Sequence, residues 1–189
     1  MKKIISLIVI LLLMTFLTSC SNKASLELIS SSATISNDKS IAGSIGITEG
    51  EKKGQELVPT VLYYQFTIKN TGWRKIGGIG NKGLAVKIEP HDKLKATSED
   101  IIGFNIFNPD DYMNSGLGFG YSYDTMIKSG KEGNFTLTYS LGVSEESPNV
   151  KLITPSDELL AEIKNQALDA SLIVTCDGKE IARFDLSKE

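Results

Sequence analysis

Residues 62–69, Leu-Tyr-Tyr-Gln-Phe-Thr-Ile-Lys, and residues 134–141, Asn-Phe-Thr-Leu-Thr-Tyr-Ser-Leu, decide the fold. In the first stretch Leu62, Tyr64, Phe66 and Ile68 alternate with Tyr63, Gln65, Thr67 and Lys69. In the second, Phe135, Leu137, Tyr139 and Leu141 alternate with Asn134, Thr136, Thr138 and Ser140. Successive side chains of a strand point to opposite faces, so a period of two describes strands with one buried and one wetted face. Turn residues bound both: Asn70-Thr71-Gly72 follows the first, and Ser129-Gly130-Lys131-Glu132-Gly133 precedes the second.

Outward from these, Leu84, Val86 and Ile88 repeat the pattern, as do Phe119, Tyr121 and Tyr123. At the C-terminal end Leu172, Val174 and Cys176 share one face of a strand. Asp177-Gly178 is a two-residue hairpin turn, and Ala182, Phe184 and Leu186 return. Leu26, Leu28 and Ile35 suggest a first strand in a serine-rich setting, and residues 101–107 form a short apolar run ended by Asn108-Pro109-Asp110-Asp111. Residues 37–56 hold too few apolar side chains for a buried element and read as a long exposed loop, with a weak strand near Ile45 and Ile47. One helix is predicted over Pro155–Leu168, capped by Thr154, with Asp157 and Glu158 at the positive end of its dipole and Leu159, Leu160, Ile163 and Ala167 on its apolar face.

Seven or eight short strands with one helix near the C-terminus predict a mainly β, antiparallel β-sandwich. The stretches YQFTIKNTG (64–72) and GNFTLTYSLG (133–142) resemble the immunoglobulin-like sandwich domains of bacterial surface proteins. The paired cysteines around a buried Trp are missing, so the resemblance implies an architecture and no partner.

At the other end, Lys2 and Lys3 precede an almost unbroken apolar run from Ile4 to Leu17 that closes in small polar residues, the layout of a signal peptide. As a helix the run would reach only ~21 Å, short of the ~30 Å hydrocarbon core of a bilayer. Leu17-Thr18-Ser19-Cys20 resembles the lipobox of bacterial lipoproteins. The resemblance implies cleavage before Cys20, diacylglycerol on its thiol with an N-acyl group on its new amine, and anchorage to the cell membrane facing outside. The chain then divides into a signal peptide (1–19), a lipidated tether (20–25) and a β domain (26–189). The Lys-, Ile- and Asn-rich composition favours a Gram-positive membrane, while Ser21 would also permit an outer membrane.

Without Lys2 and Lys3, 18 basic and 23 acidic side chains leave a net charge of −5, which weighs against a nucleic-acid partner and against a generic electrostatic grip on anionic lipid. With Cys20 acylated, Cys176 has no disulfide partner and reads as a small core residue. His91 is the sole histidine, read as a surface side chain in a polar turn, and no Gly-x-Ser-x-Gly elbow exists to meet it. The glycines of residues 77–83 lack the Lys-Ser/Thr of a phosphate loop and read as an inter-strand loop. Asp110, Asp111, Asn114 and Asp124 carry hard oxygen ligands suited to calcium but lack the ordered spacing of an EF-hand.

The aromatic group Trp73, Tyr112, Phe119, Tyr121 and Tyr123 is the strongest lead, because aromatic side chains dominate binding hot spots and stack on sugar rings. The expectation is a non-enzymatic binding module of the cell envelope, with no catalytic residue, metal or cofactor beyond the acyl groups. Its partner would be an envelope protein or glycan, met by Trp73, Asp110, Asp111, Tyr112 and Tyr121. The alternatives are an envelope hydrolase working through loop carboxylates, and a lipoprotein that binds a small ligand or a metal.

Overall fold

The computed structural model describes residues 25–78, 83–113 and 115–188. The apolar N-terminal run, the Cys20 motif, Asn114 and residues 79–82 of the glycine-rich stretch lie outside them. In chain order the strands are β1 (Leu26–Ser36), β2 (Ile45–Gly46), β3 (Glu56–Leu57), β4 (Thr60–Asn70), β5 (Ile76–Gly77), β6 (Leu84–Pro90), β7 (Phe119–Tyr123), β8 (Met126–Ile127), β9 (Glu132–Gly142), β10 (Ala170–Cys176) and β11 (Lys179–Asp185). The helices are α1 (Lys39–Ala42), α2 (Asp92–Ile102) and α3 (Asp157–Gln166).

Two antiparallel sheets carry the fold, one in the order β1-β4-β9-β7 and the other in the order β11-β10-β6. The expected alternation sets their inner faces. Leu62, Tyr64, Phe66 and Ile68 of β4 and Phe135, Leu137, Tyr139 and Leu141 of β9 share one core with Leu84, Val86 and Ile88 of β6 and Leu172 and Val174 of β10. Tyr64 shows why a tyrosine is tolerated there: it is fully buried, but its hydroxyl donates to the Ala167 carbonyl at 2.7 Å. Burial disfavours the phenolate and pushes the Tyr64 pKa well above its ordinary value. On β1 the register shifts between Leu28 and Ser30, a bulge that leaves Ile29 exposed and returns Ala33 and Ile35 to the inner face. The C-terminal hairpin forms as the sequence predicts, with Asp177 at φ 54° and Gly178 at φ 70° in its turn.

The structure corrects three expectations. A second long helix, α2, follows His91 where a polar turn is predicted, and it takes Ile101 and Ile102 as its last residues, out of the apolar run. Its buried face is Leu94, Thr97, Ser98 and Ile102, so the helical period is present but half its members are polar. The polar pair is satisfied locally: Thr97 Oγ1 donates to Gln166 Oε1 of α3 at 2.7 Å, and Ser98 Oγ donates to the Lys95 carbonyl at 2.9 Å. Second, α3 begins at Asp157 behind Ser156 instead of at Pro155. Thr154 is spent elsewhere, its amide on the Val143 carbonyl and its hydroxyl paired with Thr60, and Leu159 is exposed rather than on the buried face. Third, residues 37–56 are mostly exposed and carry the expected short strand at Ile45, but they also hold the helix α1 and bury Ile47 in a small separate core with Leu57, Val143 and Val150.

Candidate functional site

The outer face of the four-stranded sheet inherits the polar half of the alternation. Tyr63, Gln65 and Thr67 of β4 share it with Asn134, Thr136 and Thr138 of β9, because the register sets Tyr63 opposite Thr138 and Gln65 opposite Thr136. The helix α1 stands over this face and β7 runs along its edge. Between them lies a groove of about 370 Å³. Ser40, Ile41, Ala42 and Gly43 form one wall; Gly120, Tyr121 and Ser122 form the other; Tyr63, Thr136 and Thr138 are its floor.

Each wall is fixed by local chemistry. Asp38 caps α1, its carboxylate accepting from the Ser40 amide at 2.8 Å and the Ser40 hydroxyl at 2.7 Å, and these bonds hold the Asp38 pKa below its usual value. Lys39 pairs with Glu56 of β3, and its ammonium lowers the Glu56 pKa. On the opposite wall, Thr136 donates to the Ser122 carbonyl at 3.2 Å. Gly120 faces Thr138 so closely that a Cβ there would meet Thr138 Oγ1 at 2.6 Å.

Among the described residues, no side chain lining the groove is charged. The lining offers hydroxyl donors and acceptors, one face of a phenol ring and a half-exposed Ile41. Two other depressions, of about 250 Å³ beside Ile47 and about 350 Å³ beside Ile35, have no aromatic side chain in their walls.

The edge strand carries the exposed aromatics. Phe119, Tyr121 and Tyr123 pair with Tyr139, Leu137 and Phe135, so they extend the inner face past the reach of the second sheet, and Tyr121 remains 63% exposed. Its ring stacks on Tyr123 at 5.0 Å, which stacks in turn on Phe135 at 6.1 Å, joining the surface to the core.

Of the residues predicted as a binding set, only Tyr121 lines this groove. Tyr112 is a core residue: it is 5% exposed, packs edge-on against Phe104 and donates to the Ser140 carbonyl at 3.0 Å. Burial moves its pKa far above the normal phenol value. Asp110 and Asp111 are exposed on a single 3₁₀ turn, Pro109–Tyr112, capped by Asn108. Asn108 also donates to the Asp111 carboxylate at 2.7 Å. Asp124 lies at the other end of β9, where its carboxylate accepts from the Asn134 amide at 2.8 Å. Tyr112 reaches β9 at Ser140, six residues along from Asn134, a separation of ~20 Å at the rise of a strand. A hydrolytic carboxylate pair needs ~5–9.5 Å, so Asp124 does not meet Asp110 or Asp111 in that geometry. Among the described residues no group of three or more His, Cys, Asp or Glu side chains is placed to hold a metal ion.

His91 is partly exposed after β6, and its side-chain partners are what sequence reasoning missed. It precedes α2, with Nδ1 2.9 Å from Asp169 Oδ1 and Nε2 3.3 Å from Ser171 Oγ, the acid–imidazole–hydroxyl order of a hydrolytic triad. Its surroundings fit a brace better than a nucleophile. Ser171 is 7% exposed, which leaves its hydroxyl little access to a substrate. The His91 amide also donates to the Asp169 carbonyl at 3.0 Å, so the cluster ties the start of α2 to the turn before β10. No sequence signal joins residues 80 positions apart.

Comparison with protein-family models, with curated proteins and with solved structures finds no match to this chain. The chemistry of the surface therefore carries the functional argument.

Proposed function

We propose that the chain is a lipid-anchored, non-enzymatic binding module of the cell envelope, and that the groove between α1 and β7 takes a neutral, hydroxyl-rich ligand of the glycan class. The observation that carries this reading is the groove's lining: Tyr63 on its floor, hydroxyls from Ser40, Ser122, Thr136 and Thr138 around it, and no charge. Sugars are held by just such a combination, an aromatic face against the apolar side of the ring and hydroxyl partners at its rim. A volume of about 370 Å³ falls within the range of small-ligand sites.

The anchor is the part read from the sequence: Cys20 lipidated with diacylglycerol and an N-acyl group, the domain outside the membrane, a Gram-positive envelope favoured over an outer membrane. Among the described residues no helix is long and apolar enough to cross a membrane, so attachment would rest on the acyl chains. We read the two antiparallel sheets around one core as an immunoglobulin-like sandwich, a kinship supported by the shared core and the strand pairing. A second reading, addition of an extended peptide strand, is favoured by one feature: among the described residues β7 ends its sheet, with no strand paired to its outer edge.

Two measurements test the proposal. Metabolic labelling with an alkyne fatty acid should mark the wild-type protein and leave Cys20→Ala unmarked. Titration with soluble neutral cell-wall polysaccharide fragments should show saturable binding that weakens ~10-fold in Tyr63→Ala. Binding of equal strength in the variant sinks the groove reading, and an unlabelled wild type sinks the anchor.

A further inference from the structure

The end of the four-stranded sheet from which the chain enters the domain is built unlike the rest of the surface. Ser25 begins the described chain there, its carbonyl accepting from the Thr71 amide at 2.8 Å. The loop of residues 70–75 and the loop of residues 127–131 are laced together beneath it through Asn70, which is fully buried. The Asn70 amide group donates to the Arg74 carbonyl at 2.7 Å and the Ile127 carbonyl at 3.1 Å, and its side-chain oxygen accepts from the Gly72 amide at 2.9 Å. Asn70 also exchanges backbone bonds with Gly130 and Lys131, and Ser129 Oγ donates to the Gly72 carbonyl at 2.7 Å. The two loops thus form one stiff platform.

That platform holds up the chain's only tryptophan. Trp73 is 79% exposed, and the Arg74 guanidinium lies 4.0 Å from the centre of its ring. Lys75, Lys128 and Lys131 are exposed around it, and none of the four cations is in an ion pair among the described residues. Lys69 stands between Glu27 and Glu132 across the sheet, and Asp124 accepts from the Asn134 amide, so this end sets five cations against three acids. A net charge of −5 for residues 20–189 conceals this local excess of positive charge.

We propose that this platform rests on the anionic surface of the anchoring bilayer, with Trp73 among the lipid headgroups and Arg74, Lys75, Lys128 and Lys131 against lipid phosphates. The proposal rests on Cys20 being the lipidated residue. Ser25 is five steps along the chain from Cys20, so the platform can stand no more than ~18 Å from the acylated cysteine. Tryptophan favours the membrane–water interface, and clustered basic side chains are attracted to anionic headgroups. With this end down, the groove at Tyr63 and Thr138 lies ~20 Å further up the sheet, clear of the bilayer.

Because Trp73 is the single tryptophan, its fluorescence reports this face alone. The full-length protein purified from membranes is reconstituted into vesicles of phosphatidylcholine, or of phosphatidylcholine with phosphatidylglycerol, with and without brominated lipid. The expected result is a blue-shifted emission and bromolipid quenching that are strong with phosphatidylglycerol and weak without it. The combined variant Arg74→Glu, Lys75→Glu, Lys128→Glu, Lys131→Glu should lose most of that difference and stay vesicle-bound through its acyl chains. Emission that remains solvent-like in both vesicle types, with unchanged acrylamide quenching, overturns the proposal. Intact mass reports the acyl groups separately. If Cys20 is bare the anchor reading fails, and the same spectra still decide the face, a phosphatidylglycerol-dependent shift supporting it and none overturning it.

Discussion

Tyr63 and Tyr64 are neighbours on β4 with the same side chain, and the sheet gives them opposite work. Tyr64 points into the core, fully buried, its hydroxyl spent on Ala167. Tyr63 points outward to the floor of an uncharged groove. The inner region is specified by packing, with the rings of Phe66, Phe107 and Tyr139 each in contact with that of Tyr64. The outer region is specified by what it lacks, since neither charge nor bulk fills the space between α1 and β7. Stability should therefore concentrate on one side of the strand and recognition on the other.

The largest effect expected from this division is on the inner side. Tyr64→Ala should cost about 4 kcal/mol in chemical denaturation, the usual price of removing a buried ring, whereas Tyr63→Ala should cost less than about 1 kcal/mol. Equal losses would erase the contrast. Next comes Asn70→Ala, which strips partners from the Arg74 and Ile127 carbonyls and the Gly72 amide and should cost about 3 kcal/mol. It should also release Trp73, seen as a fall in its fluorescence anisotropy.

On the outer side the expected change is in binding. Tyr63→Ala should weaken a neutral glycan ~10-fold, and the wild-type affinity should be flat between about pH 5 and pH 8 because no lining residue changes charge there. A steep pH profile would point to an ionic ligand and another site.

The smallest effect belongs to the outer face of the second sheet, where Arg183 grips Glu89 and Glu180. The guanidinium holds the Glu89 carboxyl below its usual range. A depressed folded-state pKa adds stability above the unfolded value, near 4.5, and that contribution disappears as pH falls through the lower folded value. The pair is half exposed, so Glu89→Gln should cost no more than about 0.5 kcal/mol at neutral pH and nothing near pH 2.

Much of the inner face can be read from residues alone. The alternation at 62–68, 84–88, 135–141 and 172–176 names its core strands, and Asp177-Gly178 names its turn, because period and turn chemistry are local. The helix α2 escapes such a reading because Thr97 and Ser98 occupy buried positions of its stripe and find their partners in Gln166 and Lys95. Tyr112 reads as a contact residue in a polar turn, and only its reach to Ser140 shows it to be core. The groove is hidden for the same reason. It depends on the register of β7 against β9 and on α1 folding back over Tyr63, neither of which leaves a trace in nearby sequence.

The most direct test of the central claim is a backbone-amide NMR titration of the protein with neutral cell-wall glycan fragments. The expected shifts are confined to residues 40–43, 63, 120–122 and 136–138. Absence of shifts at saturating glycan, or shifts gathered instead at residues 109–112 or around His91, would contradict it.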